Sequence, residues 1–237
     1  MKRFFELICF VILLIGGKVE KSLAQVTTVA SFFQLHISSP SEERDNYYLP
    51  LDYDADNFSS SVNFKSRPGL AIGATILHTL NDQLSFYLVP SGELINLTFS
   101  NTISPLSPSQ KIDPVTIEHA YQLYYLSAEA FVGYAPKGYA KKSLIAKVGL
   151  GLHTLLHQQY TSTRSLESST KFNTTFATVQ LELGTRFIMP NKKPLELTFA
   201  VEADISGFEA PTISASRPNP NPANLFTAGM RVHYFLF

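Results

Sequence analysis

The chain has 237 residues, 19 Lys+Arg against 19 Asp+Glu for a net charge of +0 at pH 7, and a single cysteine. Balanced charge without a basic stripe argues against a nucleic-acid partner. That cysteine, Cys9, lies in the N-terminal segment that reads as a cleaved signal, which leaves no thiol for a disulfide-stapled module, Cys-ligated zinc or a Cys nucleophile.

The N-terminus reads as a secretory signal over residues 1–24: Lys2 and Arg3, an apolar run from Leu7 to Ile15, then Ser22-Leu23-Ala24 before Gln25. Small residues three and one positions before a cut suit signal peptidase, and the run is too short to span a bilayer as a helix. The charged stretch Lys18 to Lys21 leaves an uncleaved anchor as the other reading. Cys9 departs with the signal. Residues 25–237 form one domain, and none of its stretches is apolar enough for a spanning helix. A membrane location then requires a closed barrel, which also satisfies every backbone group.

Period-two alternation predicts eight strands, at 26–38, 69–80, 83–100, 115–134, 143–159, 172–189, 194–207 and 224–237. Successive side chains point to opposite faces of a strand, so alternation gives one apolar and one polar face. Leu144, Ala146, Val148, Leu150 and Leu152 oppose Lys147, Gly149, Gly151 and His153. Ala177, Val179, Leu181, Leu183 and Phe187 oppose Thr178, Gln180, Glu182, Gly184 and Arg186. Leu195, Leu197, Phe199, Val201, Ala203 and Ile205 oppose Glu196, Thr198, Ala200, Glu202 and Asp204. In the third strand, Leu84, Phe86 and Leu88 have one parity and Ile95, Leu97 and Phe99 the other. A bulge near Pro90, or a strand end there, is expected.

Short connections (Asn81-Asp82, Pro136 to Lys142, Pro190 to Lys193) alternate with long polar ones at 39–68, 101–114, 160–171 and 208–223. Short turns on one rim and long loops on the other are the outer-membrane pattern. The final run Gly229 to Phe237, ending on an aromatic residue, fits a closing strand against lipid. Two orientations remain open: an apolar face turned to lipid, or a lipocalin-like soluble barrel with an apolar lumen. Apolar faces nearly free of charge, and Tyr134, Phe187 and Tyr234 near the short-turn ends, favour the first.

Pro68 to Gly73 followed by Leu80 to Ser85, the strand Tyr125-Leu126-Ser127-Ala128-Glu129-Ala130-Phe131-Val132-Gly133-Tyr134, and the ending Gly229 to Tyr234 together resemble the PorT-like family of Bacteroidota outer-membrane β-barrel proteins. Ser127 and Glu129 stand where the family usually has glutamate and proline, and Phe235-Leu236-Phe237 extends its usual ending. The resemblance implies an antiparallel up-and-down eight-stranded transmembrane β-barrel in the cell outer membrane. Some members of that family serve protein secretion, but many have no assigned task, and the resemblance by itself does not carry that role to this chain.

Several residues invite a chemical reading. The 190–193 turn should set Arg186 beside Glu196 and Glu182 near Glu202, with Arg231, His233 and Lys147 on other strands. A packed acid–base network filling the lumen is expected, since eight strands leave little more room than their own side chains need. Asp52-Tyr53-Asp54-Ala55-Asp56 opens like a calcium loop, but Asn57 and Asn63 replace the glycine and glutamate of the full pattern. His36 and Ser38 share one face, as an outer-membrane acylhydrolase would need, with Glu42 and Glu43 as candidate acids. Tyr47, Tyr48, Tyr53 and Phe58, and Arg217 to Pro222, suit protein or glycan contact. The triplets at Asn57, Asn96 and Asn173 match glycosylation acceptors by coincidence. No catalytic, cofactor-binding or metal site and no cofactor is expected. The expected partners are outer-membrane lipid, the barrel assembly machinery during insertion, and a protein or glycan at the loops of a monomer.

Overall fold

A computed structural model describes residues 27–40, 58–106, 113–139, 141–163, 171–207, 209–210 and 224–236. The signal segment, the Asp52–Asp56 loop, Tyr47, Tyr48, Glu42, Glu43, Arg217 to Pro222 and Phe237 lie outside the described residues. No helix among the described residues is long and apolar enough to cross a membrane, which says nothing of strands.

The described residues form ten strands: β1 (Thr27–Pro40), β2 (Phe58–Thr79), β3 (Leu84–Pro105), β4 (Val115–Tyr134), β5 (Ser143–Ser162), β6 (Lys171–Phe172), β7 (Thr175–Ile188), β8 (Pro194–Asp204), β9 (Glu209–Ala210) and β10 (Leu225–Phe235). Eight form a closed antiparallel ring in the order β1-β10-β8-β7-β5-β4-β3-β2, and β6 pairs with β9 outside it. The first strand meets the last from Ala30↔Phe235 to Pro40↔Leu225, so no edge is left open. The eight-stranded up-and-down barrel expected from the alternation is the fold.

The short connections are made by turn chemistry. Asn81 Oδ1 accepts from the backbone N–H groups of Gln83 (2.9 Å) and Leu84 (2.8 Å), an Asx arrangement that closes β2 onto β3. Asn191 Oδ1 accepts from Lys193 N at 3.0 Å, and Lys192 takes the left-handed conformation with φ 65. Between β4 and β5 the chain folds over its neighbour: Ala135 N donates to Gln83 O (2.8 Å) and Tyr139 N to Asp82 O (2.9 Å). Gly138, at φ 84, makes that bend possible and carries Tyr139 into the barrel mouth, where it is buried.

Several strands differ from expectation, and β3 and β5 run on to Pro105 and Ser162, into segments expected to be loops. β2 begins at Phe58 rather than 69, because Ser, Asn and Lys alternate there without an apolar face to announce a strand. β6 and β7 split the predicted 172–189 strand. β3 has no bulge and no break at Pro90: it runs unbroken and pairs residue for residue with β4 from Leu84↔Tyr134 to Ile103↔Val115. The parity change that suggested a bulge instead marks a change in what the inward face meets. Leu84 and Leu88 point outward, whereas Ile95, Leu97 and Phe99 are buried inside. The real irregularities sit between Ser66 and Leu70 of β2 and beside Tyr124 and Tyr125 of β4.

Candidate functional site in the barrel lumen

Outward positions around the ring are Val29, Phe33, Leu35 and Ile37 on β1, then Leu70, Ile72 and Ile76, Leu84 and Leu88, Leu126 and Val132 on the next three strands. Leu144, Val148 and Leu150, then Val179, Leu181 and Leu183, then Leu197 and Phe199, and finally Phe226 and Met230 complete it. Among the described residues this belt carries no Asp, Glu, Lys or Arg. Tyr134, Phe187 and Tyr234 stand on its short-turn side, and Tyr234 Oη accepts from Asn191 Nδ2 at 3.1 Å.

The interior is the reverse, and it is layered. Next to the short-turn rim, Phe32, Leu77, Tyr87, Phe131, Tyr139, Ile145 and Phe235 form an apolar plug. A Cβ at residue 133 would lie 2.5 Å from Tyr139 Oη, so Gly133 leaves the room into which that hydroxyl fits. Towards the long-loop rim, Ile95, Leu97, Phe99, Tyr121, Leu123, Tyr125, Phe172 and Phe176 form a second apolar layer. Its rings interlock: Tyr121 meets Phe172 edge-on at 5.0 Å and Phe99 stacks on His119 at 4.6 Å.

Between the two apolar layers lies a charged network. Arg186 Nη1 donates to Glu196 Oε1 at 2.5 Å, across the register pair expected from the short β7–β8 turn. Lys147 Nζ lies 3.0 Å from both Glu182 Oε2 and Glu196 Oε2, and 4.3 Å from the centroid of the Tyr87 ring. Tyr87 Oη adds a hydrogen bond to Glu196 at 3.0 Å. His233 is held between Thr75 Oγ1 (2.8 Å) and Lys147 Nζ (3.3 Å). Arg231 ties three strands together: its Nη1 donates to Glu129 Oε2 (2.7 Å), Glu182 Oε1 (2.7 Å) and Gln180 Oε1 (3.2 Å), and its Nη2 to Glu129 Oε1 (3.1 Å). Buried charges persist only when paired and hydrogen-bonded, and these are both.

Above Arg231 the bases are histidines. His153 Nδ1 faces Glu93 Oε2 at 3.0 Å and its Nε2 faces Glu202 Oε1 at 2.8 Å, while Phe176 stacks on the ring at 4.5 Å. Ser127 Oγ donates to Glu93 Oε2 at 3.0 Å. His36 lies across from this group, its Nε2 3.8 Å from Glu93 Oε1. A Cβ at Gly69 would fall 2.2 Å from that Nε2, so the ring is pressed against bare backbone.

Some expectations about single residues change. Glu182 does lie near Glu202, as the diagonal neighbour: its own register partner is Ala200, and Gln180 is opposite Glu202. His36 and Ser38 do share a face, but it is the lumenal one. Ser38 Oγ is hydrogen-bonded to Thr227 Oγ1 at 3.0 Å, and the acid beside His36 is Glu93. Asn96 Nδ2 is bound to Pro68 O (2.6 Å) and Asn173 Nδ2 to Gly207 O (2.5 Å). Sequence reasoning gives no role to Glu93, and names His153 only as a polar-face position and Glu129 only as a departure from the family pattern; inward parity marks all three.

No family model matches the chain, and no curated protein matches its sequence. Solved structures do resemble it in shape. The outer membrane protein OprG from Pseudomonas aeruginosa is 14% identical, with 90% of this chain and 97% of that chain covered and a TM-score of 0.51. Ail, the attachment invasion locus protein of Yersinia pestis, solved with the heparin analogue sucrose octasulfate, is 10% identical over 90% and 100% of the two chains, with a TM-score of 0.39. The translocator domain of the autotransporter NalP from Neisseria meningitidis is 11% identical over 98% and 96%, with a TM-score of 0.30. The likeness to OprG bears on the fold alone, and the two lower scores say nothing further about this chain.

Proposed function

We propose that this chain is an outer-membrane β-barrel protein with a side-chain-filled polar lumen, serving as a structural or interaction component of the cell envelope through its long loops. The observation that carries this reading is the inversion: a charge-free apolar belt encircles a buried network of Arg, Lys, Glu and His. A Lys or Arg at the lipid midplane costs ~2–4 kcal/mol, which accounts for a belt without one. In water the same belt would be a contiguous apolar surface far beyond what soluble monomers expose. The short turns then face the periplasm and the long loops the exterior, with Tyr134, Phe187 and Tyr234 at the periplasmic interface.

In this reading lipid is the constant partner, the barrel assembly machinery acts during insertion, and a protein or glycan meets the loops of a monomer. The likeness of Tyr125 to Tyr134 to a PorT-like strand is compatible with a role linked to secretion and does not by itself carry one. The chain is not an enzyme in this account, since His36 and Ser38 lie behind the barrel wall from any lipid acyl chain. Unchanged lipid A acylation in cells overexpressing it is expected. An apolar ligand inside a lipocalin-like soluble barrel would have to displace Arg231 and Lys147 from their carboxylates.

Cell fractionation with gel mobility, unboiled and boiled, tests the proposal. Recovery in outer membranes with a heat-dependent shift is expected. A protein extracted without detergent overturns it.

A further inference from the structure

Exposed charge gathers on the short-turn rim. Its three connections carry Lys137, Lys141, Lys142, Lys192 and Lys193 against a single acid, Asp82. Lys193 is half-buried and the other four lysines are exposed. Towards the long-loop rim the exposed Lys65 has Glu118 at 3.2 Å, whereas none of these five lysines is ion-paired among the described residues.

The lysines also surround apolar groups. The β4–β5 and β7–β8 turns are neighbours, because β5 pairs with β7 and β7 with β8. Ser143 pairs with Arg186, which sets Lys142 beside Phe187 on the outer face, and Lys142 Nζ lies 5.4 Å from the centroid of that ring. Ile188 and Met189, where β7 enters its turn, are 40% and 36% exposed. Met189 N donates to Lys193 O at 2.9 Å, which holds the lysine end of the turn against them. Asn191 Nδ2 donates to Tyr234 Oη at 3.1 Å and ties the same turn to the aromatic girdle.

We propose that this rim binds anionic phospholipid headgroups, with Lys141, Lys142, Lys192 and Lys193 facing the phosphates. The inference rests on the outer-membrane reading above, in which the short turns meet the inner leaflet. Exposed apolar side chains ringed by lysines are the signature of an interfacial segment: the apolar groups enter the acyl boundary and the lysine stems lie along them. The ammonium groups then stand at phosphate height, where anionic lipid is attracted and neutral lipid is not. A soluble acidic partner would use the charge but would leave Phe187, Ile188 and Met189 without a purpose. Turns this short also keep the lysines close to the girdle. The pairs 141–142 and 192–193 lie far apart in the sequence, and only the adjacency of β5, β7 and β8 brings them together.

The test folds the full barrel into phosphatidylcholine vesicles, with insertion checked by unboiled gel mobility. Trace nitroxide-labelled phosphatidylglycerol or phosphatidylcholine is then added, and motionally restricted lipid is measured by electron spin resonance. Wild type should favour phosphatidylglycerol at least ~3-fold at low salt, and less at high salt. Lys141→Gln/Lys142→Gln and Lys192→Gln/Lys193→Gln should each reduce the preference, and the four together should abolish it. Arginine at all four positions should retain it, and Lys65→Gln should leave it unchanged. If the fourfold variant fails to fold, the two double variants decide. An inserted wild type that restricts both lipids equally, or a preference unchanged in the folded glutamine variants, overturns the proposal and leaves the outer-membrane reading standing. Equal restriction with retention of a soluble acidic protein by the rim also overturns it. A wild type that does not insert overturns both.

Discussion

Removing the Arg231 guanidinium tests the lumen network at its most connected point. Methionine is the instructive replacement: it keeps much of the volume, so the loss reports electrostatics rather than a cavity. Arg231→Met deletes three hydrogen bonds to Glu129 and Glu182 of 2.7–3.1 Å and one to Gln180 of 3.2 Å. Glu182 keeps Lys147 at 3.0 Å and Thr198 at 3.0 Å, so most of the penalty falls on Glu129. Stranding one member of a buried ion pair costs about 3–5 kcal/mol. Neutralising the stranded carboxylate in Arg231→Met/Glu129→Gln should bring the loss down to about 1–2 kcal/mol. The coupling between the sites should therefore exceed about 1 kcal/mol. The assay is urea unfolding in phospholipid vesicles, read by unboiled gel mobility and by the fluorescence of the 11 tyrosines, which no tryptophan obscures. A single variant within about 1 kcal/mol of wild type, or a double variant worse than the single, refutes the view that Arg231 holds Glu129 in place.

Gly69→Ala should destabilise the barrel by about 1–3 kcal/mol, because the new Cβ meets His36 Nε2 and Leu94 O. Gly92→Ala, with nothing within 4 Å, should stay within about 0.5 kcal/mol of wild type in the same titration. Val148→Arg, on the belt, should cost about 2–4 kcal/mol in vesicles of normal thickness, and a neutral result would remove Val148 from the lipid face. Tyr139→Ala should cost about 3 kcal/mol by emptying the plug beneath Tyr87 and Arg186, checked by its urea midpoint against wild type.

How far the sequence could be read follows from which interactions are local. A short turn fixes register, so Arg186 opposite Glu196 could be read from the 190–193 connection. Arg231 to Glu129 spans 102 residues and five neighbouring strands of the ring, and no local pattern announces it. On β3 the apolar residues change parity across Pro90 to Glu93, which by itself predicts a bulge or a strand end, yet the strand keeps one register with β4 throughout. The lumen instead changes from charged to aromatic along its axis, so Ile95, Leu97 and Phe99 are inward and apolar at once. Residues 58–68 look like loop in the sequence because polar alternation gives no apolar face by which to recognise a strand. The i, i+2 spacing puts His36 and Ser38 on one face, but a strand alone cannot say which side of a closed sheet that face occupies.

The central claim is that the apolar face of each strand meets lipid, and depth-dependent quenching tests it most directly. Cys9 is the only cysteine, so single-cysteine variants in a Cys9→Ser background carry one label each. An environment-sensitive fluorophore at Leu144, Val148, Leu152, Leu181 or Phe199, in vesicles with bromines at defined acyl positions, should be quenched most near mid-belt. Labels at Lys137 and Glu118, beyond the belt, should be quenched little. Labels at Val148, Leu181 and Phe199 shielded from every brominated lipid would contradict the account and place those residues inside the barrel.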